Sequence, residues 1–324
     1  MMLITARCRA DMIAHAEAEA PNESCGLVLG DDYVPCTNTA ETPRESFAID
    51  NDVMAAACRS GRLRAVVHSH PEGMDCPSKA DMAQQAASDV PWGIVVLSRV
   101  HGPSVFFWGD QLDVAPYEGR PFRHGTADCY ALVRDWYRRE RGIELPVTPR
   151  DPDWWDKGQD VIAENILAGS FPGFAELGPD VPLEHGDVLL FQVGAKVVNH
   201  TGIYVNNGLV LHHLSRRLSR IDVLGPWKQK FHARTMRMWP VQSIGETEPA
   251  LASPCGAVKQ RLIGGGAPEG RRGRASGEVS MSPTSGSDSS RLGPSPSAPI
   301  RGHLPRKTGE EKETGEGHGL GASP

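Results

Sequence analysis

Two rhythms of apolar and polar positions run along the first 240 residues, one near every third or fourth position and one at every second. The first predicts helices over 6–19, 51–60 and 78–88; the second predicts a hairpin from CGLVLG (25–30) past the Asp31-Asp32 turn. Strands are also expected at RAVVHSH (64–70), WGIVVLS (92–98) and SVFFW (104–108). Helices alternating with strands in this way predict an α/β sandwich. The stretch DVAPYEGRPFRHG (113–125) then breaks the pattern with prolines and glycines, as a domain boundary does. After it, TADCYALVRDWYRRERG (126–142) carries apolar or sulfur side chains at 129, 132, 133, 136 and 137, the stripe of an amphipathic helix. Two alternating runs around Asn206-Asn207-Gly208 predict a second hairpin within VVNHTGIYVNNGLVLHHLS (197–215).

Composition adds a third region. All seven tryptophans, and every tyrosine and phenylalanine, precede residue 240, whereas 241–324 is rich in Gly, Pro, Ser, Arg and Glu. A segment so poor in apolar groups cannot offset its ordering entropy, which predicts a disordered tail. The expected organisation is therefore 1–112, 113–240 and the tail 241–324. A net charge of −6 gives no basic footprint, so nucleic acid is not an expected partner. No run is long and apolar enough to suggest membrane insertion, and no signal segment is evident. Seven scattered cysteines without a C-x-x-C pair disfavour a disulfide framework, and synthesis in a reducing cytoplasm is the expectation.

The first candidate chemistry lies in VVHSHPEGMDCPSKADM (66–82). Positions two apart on a strand project to one face, so His68 and His70 look into the same space. Asp81, from a separate element, would complete a set of three ligands of the kind catalytic zinc takes, leaving a position for water. Glu23, just ahead of a predicted central strand, is a carboxylate available to take that water's proton. The plainer reading is that Ser78 and Asp81 merely cap a helix in a box-like arrangement.

The set nevertheless matches a pattern. It resembles the JAMM-type (Jab/MPN) metallopeptidases, with Glu23, then His68-Ser69-His70-Pro71, Ser78 and Asp81 at the family's interval. Five fixed residues at roughly one in twenty each arise by chance in such a chain on the order of 10⁻⁴ of the time. The resemblance implies zinc on His68, His70 and Asp81, Glu23 as general base and acid, and Ser78 helping to hold the oxyanion. It covers residues 1 to about 110.

The second constellation centres on Cys129. Thr126 or Asp128 can cap its helix, and in the first turn the helix dipole favours the thiolate. On its own, Cys129 reads better as a buried core thiol. Partners come from the hairpin: a three-residue loop with Gly208 left-handed makes 205 face 209, puts 202 opposite 212 and sets His200 on the side of His212. A two-residue turn would bring His213 instead. The arrangement resembles the NlpC-type cysteine peptidases of the papain-like superfamily, with Asp128-Cys129, then His200-Thr201-Gly202-Ile203-Tyr204, then His212. HGDVLLFQV (185–193) fits that family's strand before the histidine, and Tyr117 stands where members often carry a tyrosine that reaches the site. Tyr130-Ala131 depart from the serine and glycine that many members have.

Together these imply a mixed fold class, α/β plus α+β: a JAMM/MPN-like α/β sandwich followed by a papain-like NlpC-type domain. That order resembles the K tail assembly proteins of lambda-like phages. The resemblance implies a phage or prophage protein made in a bacterial cytoplasm and acting at the tail tip, with other tail tip proteins and peptidoglycan peptides as partners. Cys129 would be the nucleophile, His200 the base, His212 its orienting residue and Tyr117 an aid to the oxyanion. Two alternatives remain open: a non-catalytic tail-assembly module, and an amidase or acyltransferase using the same cysteine. Trp154-Trp155 are expected to cover the core, the alternative being that they rim a sugar-lined groove.

Overall fold

The structure, a computed structural model, describes residues 4–167 and 173–239. The tail expected to be disordered, 241–324, lies outside the described residues. Two lobes each have a sheet and a core of their own.

The first lobe runs α1 (Ala6–Glu19), β1 (Cys25–Leu29), β2 (Asp32–Cys36), α2 (Asn51–Arg59), β3 (Leu63–His70), α3 (Lys79–Ala86), β4 (Trp92–Ser98) and β5 (Gly102–Trp108). Its sheet has the order β2-β1-β3-β4-β5, with β3 and β4 parallel and every other pair antiparallel. The parallel pair is joined by α3, the crossover that parallel strands require. Strand alternation divides the apolar residues between two cores. Ala65, Val67 and Val95 meet Cys8, Met12 and Ala16 of α1 on one face, while Val66, Trp92 and Ile94 meet Met54 and Ala57 of α2 on the other. Thr5 caps α1 and Asp50 caps α2, each accepting first-turn N–H groups. The expected elements of this lobe are all present, within a residue or two at each end.

The second lobe runs α4 (Cys129–Arg141), α5 (Val161–Leu167), β6 (Phe174–Glu176), β7 (Val188–Phe191), β8 (His200–Tyr204), β9 (Leu209–His212), β10 (Arg220–Val223), α6 (Leu224–Phe231) and β11 (His232–Met238). Its sheet, ordered β10-β9-β8-β7-β11-β6, is antiparallel throughout. The stripe of α4 is buried at Leu132, Val133, Trp136 and Tyr137 against Val188, Leu190, Ile203 and Leu211. On the opposite face, Leu224, Trp227 and Phe231 of α6 cover Leu189, Phe191 and Val210. Trp154 joins the α4-side core, as expected of it, with 2% of its surface exposed.

The lobes touch through charged groups. Arg123 Nε donates to the Asp75 carbonyl oxygen (2.8 Å) and its guanidinium lies 3.8 Å from the centroid of the Phe106 ring. Arg134 of α4 pairs with Asp110 at 2.5 Å. A cavity of about 490 Å³ lies along this junction, but the arginines Arg120, Arg134 and Arg138 on its wall already face Asp110 and Asp135.

Candidate functional sites

In the first lobe, the end of β3 delivers His68 and His70 and the first turn of α3 delivers Asp81. All three are buried. Their ligand atoms converge: His68 Nε2 and His70 Nε2 are 3.2 Å apart, and Asp81 Oδ2 lies 3.5 Å from the first and 3.7 Å from the second. A tetrahedral zinc ion with bonds of about 2.0–2.2 Å holds its ligands about 3.3–3.6 Å apart. The spacing therefore suits such an ion. The chemistry of the donors agrees, because His70 Nδ1 donates to the Met74 carbonyl oxygen (2.9 Å), which turns its Nε2 toward the carboxylate as the nitrogen a metal would take. Two imidazole nitrogens and a carboxylate that converge in a buried space suit a cation between them.

The capping reading holds for Asp81, and the cap leaves its carboxylate placed where a ligand would be. Its N–H donates to Ser78 Oγ (3.1 Å) while its Oδ2 accepts from Ser78 N–H (2.8 Å), a complete capping box. The same Oδ2 faces the histidines, so the cap also aims the carboxylate. Burial alone would raise the Asp81 carboxyl; His68 and His70 outweigh it and hold the group well below the usual carboxylate range. Glu23 stands in the loop before β1, which pairs with β3 at Cys25 and His68. It is 9% exposed, and burial pushes its carboxyl up to about 8 against the pull of His70. A group so poised holds a proton or releases one near neutral pH. Ser78 Oγ, occupied as an acceptor by the cap, keeps its own hydrogen free to donate.

In the second lobe Asp128, not Thr126, caps α4: its side chain accepts from Ala131 N–H (3.0 Å) and Gly125 N–H (2.7 Å) and pairs with the buried guanidinium of Arg150. Cys129 follows in the first turn, its sulfur beside Thr201 of β8. The expected low thiol pKa is not realised. Burial and the Asp128 charge push the thiol up to about 11, because desolvation of a thiolate outweighs the helix terminus.

The hairpin has the register that a three-residue loop dictates. Val205 N–H donates to Leu209 O (3.1 Å), and Gly202 pairs with His212. Asn206, Asn207 and Gly208 all take positive φ (70°, 52° and 70°), a conformation that asparagine and glycine tolerate best. Opposite His212 only glycine fits, since a Cβ on Gly202 would lie 2.6 Å from Val210 Cγ2. His200 Nε2 then meets His212 Nδ1 at 2.9 Å, while His213 turns away to the Arg217 carbonyl oxygen (3.2 Å). Burial, with His212 and His213 nearby, pushes His200 down to about 3. Cys129 and His200 share the wall of one cavity of about 280 Å³ with Arg150, Trp154, Trp155 and Phe122.

Tyr117 is a correction. Its hydroxyl donates to Glu140 Oε1 (2.9 Å), and Arg139 lies 5.2 Å from the centroid of its ring. Glu140 is near the far end of α4, about 16 Å along the helix from Cys129. The carboxylate and the cations of that end outbid the cysteine for the phenol. Three further residues, absent from the sequence expectations, bear on the site. Asp222 Oδ2 accepts from His212 Nε2 (3.0 Å), and Trp227 packs on both histidines, 4.4 Å from the His212 ring centroid and 5.7 Å from that of His200. Arg150 neutralises Asp128. Only the aspartate carried any signal, as a lone acid in the run RLSRIDV.

Comparison with known proteins agrees with the two-lobe plan. Residues 5–109 match the model of prokaryotic homologs of the JAB domain, and residues 119–237 match that of the NlpC/P60 family. The chain is 35% identical over 234 residues to tail tip assembly protein K of Escherichia phage N15, covering 70% of this chain and 91% of that protein. It is 37% identical over 180 residues to tail tip assembly protein K of Escherichia phage lambda, covering 55% of this chain and 82% of that one. Among solved structures, a Desulfitobacterium hafniense protein is similar at 27% identity and TM-score 0.29, over 32% of this chain and 81% of that one. An NlpC/P60 family protein from Bacillus cereus is similar at 13% identity and TM-score 0.27, over 69% and 66%. Scores this low leave kinship resting on sequence.

Proposed function

Since the chain belongs to the family of tail tip assembly protein K, we propose that it serves tail tip assembly as a peptidase with two sites, a cysteine endopeptidase for peptidoglycan stem peptides and a zinc metallopeptidase that processes a protein. The observation that carries the first is the cavity shared by Cys129 and His200, with His200 Nε2 already committed to His212. Its other nitrogen, Nδ1, is left to serve the cysteine.

The chemistry follows from the charge states. A thiol raised to about 11 and an imidazole lowered to about 3 are both neutral at pH 7, so no resting ion pair forms. Cys129 Sγ gives its proton to His200 Nδ1 as its electron pair attacks the amide carbonyl carbon and the C=O π electrons move to oxygen. Collapse of that oxyanion breaks the C–N bond, and His200 returns the proton to the leaving amine. Water then hydrolyses the thioester. The free N–H groups in the first turn of α4 lie on the cysteine's side and suit the oxyanion. Trp154, Trp155 and Phe122 supply aromatic walls to the cavity that the reacting groups share.

In the other lobe His68, His70 and Asp81 would hold zinc, which supplies Lewis acidity to a water and to a substrate carbonyl. Glu23 holds and passes the proton there, and Ser78 Oγ offers its hydrogen to a developing oxyanion.

Muropeptide mass spectrometry tests the cysteine reading. The full-length chain should release stem-peptide fragments with free diamino-acid ends, and Cys129→Ala should release none while keeping its circular dichroism spectrum. Sugar-linked lactyl ends would mean an amidase instead. Release unchanged by Cys129→Ala would refute the assignment. The burial of Cys129, at 8% residue exposure, favours the second reading of an inert assembly module, for which wild type would yield no products at all.

A further inference from the structure

Asp222 sits on β10 outside the cavity of Cys129, yet it ends a chain of contacts that begins there. Its Oδ2 is surrounded by donors: Arg220 Nη2 at 2.7 Å, Arg220 Nε at 3.1 Å, Trp227 Nε1 at 3.3 Å and His212 Nε2 at 3.0 Å. Burial works to raise this carboxyl, but hydrogen bonds from His212 and Arg220 outweigh it and hold the group below its ordinary range. Asp222 is thus an ionised carboxylate with no proton to give, and the hydrogen in its contact with His212 belongs to Nε2.

The consequence passes inward by proton counting. A neutral imidazole has one N–H, and burial keeps His212 neutral against the pull of Asp222. With its hydrogen on Nε2, His212 offers a lone pair at Nδ1. His200 Nε2, 2.9 Å away, must then be the donor. His200 is neutral too, so its Nδ1 carries a lone pair, the form a base needs. Reversing the proton on His212 would break its contact with Asp222, reverse the one with His200 and place a hydrogen on His200 Nδ1, where it could take none from a thiol.

We propose that Asp222 is a positioning residue of the cysteine site, setting the tautomers of His212 and His200 in turn so that His200 Nδ1 faces the reaction as a proton acceptor. This rests on the reading of Cys129 as nucleophile and His200 as base. During attack, His200 becomes an imidazolium whose Nε2–H still donates to His212, and Asp222 remains ionised; it orients and stabilises without exchanging a proton.

The test uses the full-length chain with nitrogen-15-labelled histidine, comparing wild type, Asp222→Ala and Asp222→Asn. Imidazole nitrogen shifts should report Nε2–H at both His200 and His212 in wild type. Asp222→Ala should show an Nδ1–H population at His212 and lower kcat for muropeptide cleavage about 10- to 100-fold, part of the roughly 10²–10⁴ a general base contributes. KM should stay within about twofold, as expected when only transition-state interactions are lost. Asp222→Asn keeps an acceptor oxygen for His212 and should restore the tautomers and most of kcat, which a merely structural role of the charge would not. Unchanged tautomers together with wild-type kcat in Asp222→Ala would overturn the proposal, as would Nδ1–H at His212 in wild type. Should wild type cleave no muropeptide, the nitrogen shifts still decide the role of Asp222, so failure of the substrate reading is separable from failure of the relay.

Discussion

The two candidate sites are built in opposite ways. The trio His68, His70 and Asp81 comes from one strand–helix unit, β3 and α3, and its two imidazoles and one carboxylate crowd a buried space suited to a cation. The cysteine site draws Cys129, His200, His212 and Asp222 from one helix and three strands, and its reacting pair is neutral. Local assembly is robust because a capped helix and a strand position the ligands without distant help. A non-local site depends on register and on buried ion pairs that hold its parts together. The comparison predicts different vulnerabilities.

The largest effect should come from Asp128→Ala. It removes the α4 cap and leaves Arg150, 4% exposed, without its partner, which costs about 3–5 kcal/mol for a broken buried pair. Urea unfolding of the full chain should show that loss in the second lobe, with metal binding in the first unaltered; a loss under about 1 kcal/mol would mean the second lobe does not depend on the pair. Next is the metal. Zinc should bind near stoichiometrically and be lost in His68→Ala plus His70→Ala. At a hundredfold excess over its dissociation constant it should stabilise the first lobe by about 2.7 kcal/mol, read as a melting shift reversed by chelator. Metal content retained in the double variant would count decisively against the trio.

The pH dependence should run in opposite directions. In chelator-treated protein Glu23 is raised from 4.5 to about 8, so the folded state binds more protons across that window and stability falls as pH rises through it. His200 is lowered from 6.5 to about 3, so the unfolded state binds more protons and stability falls as pH drops from about 6.5 towards 3. Each group contributes at most about 1.4 kcal/mol per pH unit. Melting curves of Glu23→Gln should lose the first slope and keep the second. The smallest effect is Gly208→Ala, where φ of 70° costs a Cβ about 1 kcal/mol; any further loss in cleavage would measure how tightly the hairpin register controls His212.

Much of the fold was legible beforehand, for reasons visible in particular residues. The period-2 alternation in RAVVHSH put His68 and His70 on one face, and glycine at 208 selected the loop that places 202 opposite 212. What escaped is of another kind. Tyr117 lay at a suggestive interval from Cys129, but interval does not reveal that Glu140 and Arg139 compete for it. The helix start at Cys129 suggested a reactive thiolate, and burial against β8 reversed the sign.

Local sequence therefore determined the elements, the strand faces, the hairpin register and the candidate residues for metal binding and nucleophilic attack, because each follows from backbone geometry over a few neighbours. Tertiary structure alone decided that Asp222 stands behind His212, that Arg150 neutralises Asp128 and that the cysteine and its histidine rest uncharged. Those outcomes depend on which distant groups share a buried volume, where desolvation and pairing set charge, and no short stretch of chain encodes that.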